Sequence, residues 1–103
     1  MKISVITVSY NAASTIVDTL NSVAAQRYPN VEHIVIDGNS SDATSQLVRQ
    51  HDDRVTTFVC EPDDGIYDAM NKGIRQSTGE IVGILNADDF YIDIDVLSTV
   101  VHA

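Results

Sequence analysis

The residues of this chain best suited to chemistry are carboxylates and amides in short polar runs, and Asn86-Ala87-Asp88-Asp89 is the most pointed of these. Two adjacent carboxylates repel each other unless a cation, a proton or a hydrogen-bond donor compensates. Mg²⁺ and Mn²⁺ take oxygen ligands and need only one or two carboxylates beside phosphate oxygens and water. Asp88 and Asp89 therefore predict a metal-diphosphate site; the alternative is a solvated acidic turn whose aspartate caps the next helix. Asp37 heads a second run, Asp37-Gly38-Asn39-Ser40. It can accept from a base or a ribose hydroxyl, or close an Asx-turn in its own loop. Ser9-Tyr10-Asn11 is a third run. Tyr10 and Tyr67 are each either a stacking platform or a half-buried packing residue. Lys72, beside Asn71, is read as a surface lysine, with a phosphate contact as the other option.

These side chains need elements to bring them together. Residues 3–9 are β-branched and apolar and predict a first strand ending at Ser9-Tyr10-Asn11. Ser14 is suited to cap a helix in which Ile16, Leu20 and Val23 form one apolar stripe. That helix should stop ahead of Tyr28-Pro29. Val31 to Ile36 predicts a second strand, and Ser41 or Asp42 caps a second helix running to about His51. Val55 to Cys60 predicts a third strand, closed by Glu61-Pro62-Asp63-Asp64-Gly65. A third helix follows, with Ile66, Met70 and Ile74 expected in the core and Gly79 near its stop. The apolar run before Asn86 then reads as a fourth strand buried on both faces.

Strands alternating with helices predict an α/β fold: an open, doubly wound, mostly parallel, Rossmann-like sheet with helices on both faces. With right-handed crossovers the strand order should be 3-2-1-4, with a switch point between strands 1 and 4. Ligands bind beyond the carboxyl ends of such strands. There the order gathers Ser9, Tyr10 and Asn11, Asp37, Glu61, and Asn86, Asp88 and Asp89. The turn after strand 1 has no glycine, so neither a dinucleotide fingerprint nor a P-loop is present. Ser9-Tyr10-Asn11 also stands where a phospho-acceptor receiver domain would need an acidic pair.

Composition narrows the partners. A chain of 103 residues is one domain. Its net charge of −9 argues against nucleic acid or an anionic membrane surface as partner, and a polyanionic substrate would need a cation. Nine of the fifteen acidic residues fall between Glu61 and Asp95, against only Lys72 and Arg75 as bases, which sharpens that need at the fourth strand. One cysteine, Cys60, fits a reducing, cytoplasmic setting and reads as a buried inert thiol. No stretch approaches bilayer length, so any membrane association would be peripheral, at the inner face. His33, His51 and His102 have no zinc-ligand spacing.

Taken together, these motifs resemble the inverting glycosyltransferases of the GT-A fold, family 2, over essentially the whole chain. Ile3 to Asn11 is similar to the family's first strand with its Ser-Tyr-Asn end. Val35 to Thr44 resembles its Asp-Asp-Gly-Ser-x-Asp-x-Thr loop, Asp64 to Gly73 a third-helix segment, and Leu85 to Asp89 its acidic metal motif. The resemblance implies a nucleoside-diphosphate sugar donor, Mn²⁺ or Mg²⁺, and a sugar or lipid-linked acceptor. It implies nucleotide contacts from Val8 (through its backbone), Ser9, Asn11, Asp37, Asn86 and Asp88, and metal contacts from Asp88 and Asp89. Two positions depart from the pattern: Gly38 stands where the family commonly has a second Asp, and Asn86 where it has the first acid of the metal motif.

The family's general base is an acid downstream of the metal motif, so no catalytic base is expected before Ala103. Residues 95–103 read as a helix cut short, with Asp93 and Asp95 as N-terminal helix charges. Residues 1–103 are thus expected to be the donor part of a longer enzyme, truncated before its acceptor half. The other reading is a non-catalytic nucleotide-binding or assembly module of the same fold. Without the acceptor half, apolar Ile92, Ile94, Leu97 and Val100 are expected to be exposed and could join two copies as a homodimer.

Overall fold

The computed structural model describes residues 1–51, 53, 55–89 and 96–102. Its elements are β1 (Ile3–Ser9), α1 (Ile16–Ala24), β2 (Val31–Asp37), α2 (Thr44–Gln50), β3 (Thr57–Cys60), α3 (Ile66–Gln76), β4 (Ile81–Ile84) and α4 (Val96–His102). The sheet is parallel in the order β3-β2-β1-β4, as the crossover rule requires. β1 is central. It pairs with β2 from Ile3↔Val31 to Ser9↔Asp37 and with β4 from Ile3↔Ile81 to Ile6↔Ile84. The chain winds outward through α1 and α2 on one face, then returns through α3 on the other.

Alternation along β1 explains both layers. Ile3 and Val5 face α1 and α4 and pack with Val23, Leu85 and Leu97. Ile6 and Val8 face α3 and pack with Ile34, Ile36 and Ala69. α1 uses the anticipated stripe, with Ile16, Leu20 and Val23 all buried. Its start differs: Thr15 holds the N-cap position without a side-chain cap bond, and Ser14 is exposed. Asp42 does cap α2, its Oδ1 accepting from Thr44 N at 3.0 Å, although Ala43 is the residue at the N-cap position. β3 begins at Thr57, two residues later than anticipated.

The third helix packs differently from expectation. Ala69 and Gly73 are its buried residues, whereas Ile66 and Ile74 are 48% and 49% exposed and Met70 is half-buried. Small residues won the sheet-facing positions because α3 lies very close to β1. A Cβ on Gly73 would stand 2.4 Å from Ile6 Cγ2. The fourth strand, expected to be buried on both faces, is half-buried at Ile81 and Gly83 and open on the other face, with Val82 and Ile84 both 42% exposed. β4 is a sheet edge among the described residues, and α3 covers β1 and β2 rather than β4.

Leu97, expected to be exposed, is buried against Ile3, Val5 and Val23, and its N–H donates to Gln26 Oε1 at 2.9 Å. Val100 is exposed. Ile92, Asp93, Ile94 and Asp95 lie outside the described residues. No helix among the described residues is long and apolar enough to cross a membrane.

Candidate functional site

Loops from the carboxyl ends of β1, β3 and β4 line one open cleft of about 610 Å³. The β1 loop supplies Ser9, Tyr10, Asn11, Ser14 and Thr15; Asn86, Ala87 and Asp88 follow β4. The third wall is Asp63, Gly65, Ile66 and Ala69. Of the anticipated site residues, Val8, Ser9, Asn11, Asn86 and Asp88 therefore share the cleft, while Asp37 and Asp89 are not among its lining residues.

Pairing carries Asp88 to this edge. Leu85 N and Ala87 N continue the β4 ladder onto the carbonyls of Ile6 (2.9 Å) and Val8 (3.2 Å). Val8's carbonyl thus accepts from Ala87 N, and Val8 is among the residues lining the cleft. Asp89 N closes the turn onto Asn86 O at 2.9 Å, and buried Thr19 of α1 places its hydroxyl 2.9 Å from the Ala87 carbonyl. Asp88 and Asp89 are both exposed, but only Asp88 faces the cleft. Asn86 Oδ1 is buried with no hydrogen-bond partner. An orphaned acceptor beside a free carboxylate is a donor set that suits a hard cation. No cluster of three or more ligating side chains exists among the described residues, so phosphate oxygens or water would have to complete the shell.

Asp37 corrects the expectation of a cleft-lining acid. Its side chain is fully buried and takes four donors: Ser9 Oγ (2.7 Å) and Ser40 Oγ (2.6 Å) on Oδ1, Ser40 N (2.8 Å) and Cys60 Sγ (3.5 Å) on Oδ2. That is an Asx-type turn joined to two neighbouring strands. Burial, with Asp37 close by, raises the half-buried Cys60 thiol above its ordinary pKa. The same stitching continues outward. Asn11 adopts a left-handed φ of 50°, which asparagine tolerates, and its Oδ1 accepts from Ser41 N at 2.9 Å. Asn11 N and Ala12 N donate to Ser40 Oγ and Thr44 Oγ1, both at 2.8 Å. The β1 and β2 loops are thereby joined as one unit, and the sequence had given Ser40 and Thr44 no part in joining them.

Glu61 is exposed and outside the cleft, ion-paired with Lys72 at 3.1 Å. Lys72 also reaches Asp68 (3.5 Å) and donates to Pro62 O (2.9 Å). Burial alone would lower its ammonium pKa; Glu61 and Asp68 outweigh that and raise it. Lys72 is thus a staple for the β3–α3 loop, and among the described residues no lysine or arginine lines the cleft. Tyr10, 65% exposed, stands at the cleft, whereas Tyr67, 78% exposed, does not line it; neither is a packing residue, because both sit at the ends of elements. Asp63 and Gly65 were missed. The acidic run after the third strand was their available signal, since it too ends at the carboxyl edge.

The model of glycosyl transferase family 2 matches residues 4–102. The chain belongs to this family. An uncharacterised family relative from Mycobacterium tuberculosis is 39% identical over 102 residues, covering 98% of this chain and 39% of that protein. A mannosyltransferase from Pyrobaculum calidifontis, solved with GDP-Man and Mn²⁺, superposes with a TM-score of 0.90 at 36% identity, over 97% of this chain and 31% of that one. S. aureus TarS 1-349 in complex with UDP-GlcNAc gives 0.88 at 30% identity, over 99% and 30%. This family 2 chain therefore has the GT-A architecture and spans less than two fifths of the curated relative's length.

Proposed function

We propose that residues 1–103 are the donor part of a glycosyltransferase that moves a sugar from a nucleoside-diphosphate sugar to a hydroxyl of a sugar or lipid-linked acceptor. The observation that carries this reading is that Asp88 and Asn86, whose Oδ1 is orphaned, line one cleft to which no described residue contributes a cationic side chain. A diphosphate entering such a cleft meets carboxylates and, among the described residues, no lysine or arginine. Asp88 is the direct ligand for Mn²⁺ or Mg²⁺, with Asn86 beside it; Asp89 holds the turn and adds charge nearby. The bound cation supplies charge neutralisation for the diphosphate in the ground state and as it departs. Two solved neighbours, one with GDP-Man and Mn²⁺ and one with UDP-GlcNAc, support both the donor class and the metal.

The chain's own residues bind and orient. Tyr10 offers a ring at the cleft for a base to stack on, the Ser9–Asn11 turn forms the floor, and Asn86 also suits a ribose hydroxyl. Transfer with inversion requires a base to take the acceptor proton as the sugar–phosphate bond breaks. None of the lining groups is placed for that role by the family pattern, so we assign the base to a part of the enzyme outside residues 1–103.

An assay of nucleoside diphosphate release from UDP- and GDP-sugars with Mn²⁺, with and without acceptor oligosaccharides, tests the proposal in the enzyme from which these residues come. Release that disappears in Asp88→Asn supports it. Metal-dependent binding with no release from any donor would favour a non-catalytic nucleotide-binding module instead.

A further inference from the structure

The buried face of α1 carries Ile16, Leu20, Val23 and one polar residue, Thr19, which is 1% exposed. A hydroxyl in an apolar layer costs free energy unless it is hydrogen-bonded. A helical threonine ordinarily bonds back to the carbonyl four residues earlier. Here that contact, to Thr15 O at 3.4 Å, is the longest of three. The two shorter ones leave the helix and reach Ala87 O at 2.9 Å and Asp89 O at 2.5 Å. These are the carbonyls of the residues on either side of Asp88, and they share the single proton of one hydroxyl. Ala87 is also part of the apolar cluster of Ile16, Leu20, Val35 and Val48. α1 therefore grips the Asn86–Asp89 turn twice, by packing and by the Thr19 hydroxyl, although Thr19 is not among the residues lining the cleft.

We propose that Thr19 is a positioning residue of the metal site: its buried hydroxyl holds the two carbonyls that flank Asp88 and so keeps that carboxylate aimed into the cleft for a divalent cation. The inference rests on the donor-site reading above and adds to it a residue that touches neither nucleotide nor ion. Asp88 is exposed at the tip of its turn, so its direction is set by the two peptide planes beside it. The bonds from Ala87 N to Val8 O and from Asp89 N to Asn86 O fix the N–H side of those neighbours. Thr19 fixes their C=O side. Groups that orient a metal ligand without touching the ion typically change metal affinity by about 10- to 100-fold. Valine has nearly the shape of threonine, so Thr19→Val removes the hydroxyl and leaves the packing against Ala87 in place.

The test is calorimetric titration of UDP and GDP with Mn²⁺ into the unmodified protein, Thr19→Val, Thr19→Ser, Asp88→Asn and the double variant Thr19→Val/Asp88→Asn. Thr19→Val should weaken binding by about tenfold. Thr19→Ser keeps the hydroxyl and should stay within about twofold of the unmodified protein. If Thr19 acts through Asp88, adding Thr19→Val to Asp88→Asn should cost less than about twofold further, because the group it positions is already gone. Should Thr19→Val not fold, Thr19→Cys, whose thiol is only a weak donor, replaces it in the same cycle. Unchanged binding in Thr19→Val, an equal loss in Thr19→Ser, or a full tenfold loss on top of Asp88→Asn would overturn the assignment while leaving the donor site intact. Binding to the unmodified protein that is the same after EDTA would instead overturn the metal at the donor site, and this assignment with it.

Discussion

Asp37 illustrates how one carboxylate can serve a site without touching its ligand. Four donors from three chain segments converge on it, so it sets the spacing of the β1 and β2 loops and hence the cleft floor. Asp37→Asn presents an NH₂ group to donors that need an acceptor. Each buried donor left unpaired costs about 1–3 kcal/mol. The variant should lose stability by at least that amount in urea unfolding, and should weaken all nucleoside diphosphates together rather than alter their ranking. Full stability in Asp37→Asn would show that the four contacts carry little. The sequence made Asp37 legible as important, and left open whether it read a base or closed a turn. Which occurs depends on Ser40 and Cys60, whose distances no sequence pattern reports.

Elements were more legible than their faces. Strand order followed from alternation and handedness, and the α1 stripe from its 3.6-residue period. The α3 period misled, because the chain uses Ala69 and Gly73 to bring helix and sheet close and leaves Ile66 and Ile74 outward. Gly73→Ala tests this. Alanine gains about 1 kcal/mol in helix propensity, but its Cβ would meet fully buried Ile6 at 2.4 Å, and overpacking costs about 1–3 kcal/mol. We expect net destabilisation in denaturant unfolding; stabilisation would mean that α3 moves freely.

β2 carries a second element-level consequence. Its His33 is buried with Nε2 2.7 Å from Thr7 Oγ1, and burial lowers its pKa from 6.5 to about 4. The unfolded chain binds a proton below pH 6.5 that the folded chain refuses until about pH 4, so stability should fall as pH drops through that window. The loss is on the order of 3 kcal/mol. Glu32, next to it in sequence, acts at lower pH. Burial alone would raise its carboxyl, but hydrogen bonds from Ser4 and Thr78, helped by Lys2, hold it below the usual glutamate value. That contribution is present above the unfolded pKa and is lost as pH falls through the lowered folded one. Thermal unfolding from pH 7 to 4 should show a shallower decline in His33→Leu, and an unchanged slope would contradict the assignment.

At the scale of the molecule, the described residues leave the α3 face of β4 bare. Val82 and Ile84 lie exposed on the α3 face of the edge strand β4, and Ile74 is exposed on α3. An unpaired edge next to apolar side chains invites association. Residues 1–103 in isolation should therefore self-associate or bind a hydrophobic dye, an effect that Val82→Lys with Ile84→Lys should reduce. A monomer without dye binding would show that this surface is too small to matter. The charge of the molecule leads to the central claim. With a net charge of −9 and, among the described residues, two acids and no lysine or arginine lining the cleft, the site should hold a diphosphate only through a divalent cation.

Calorimetry of UDP and GDP with Mn²⁺, repeated after EDTA, measures this directly. Affinity should fall at least about tenfold, or about 1.4 kcal/mol, when the metal is removed. Asp88→Asn should reproduce most of that loss and Asp93→Asn none of it. Equal affinity with and without the metal would contradict the account at its centre.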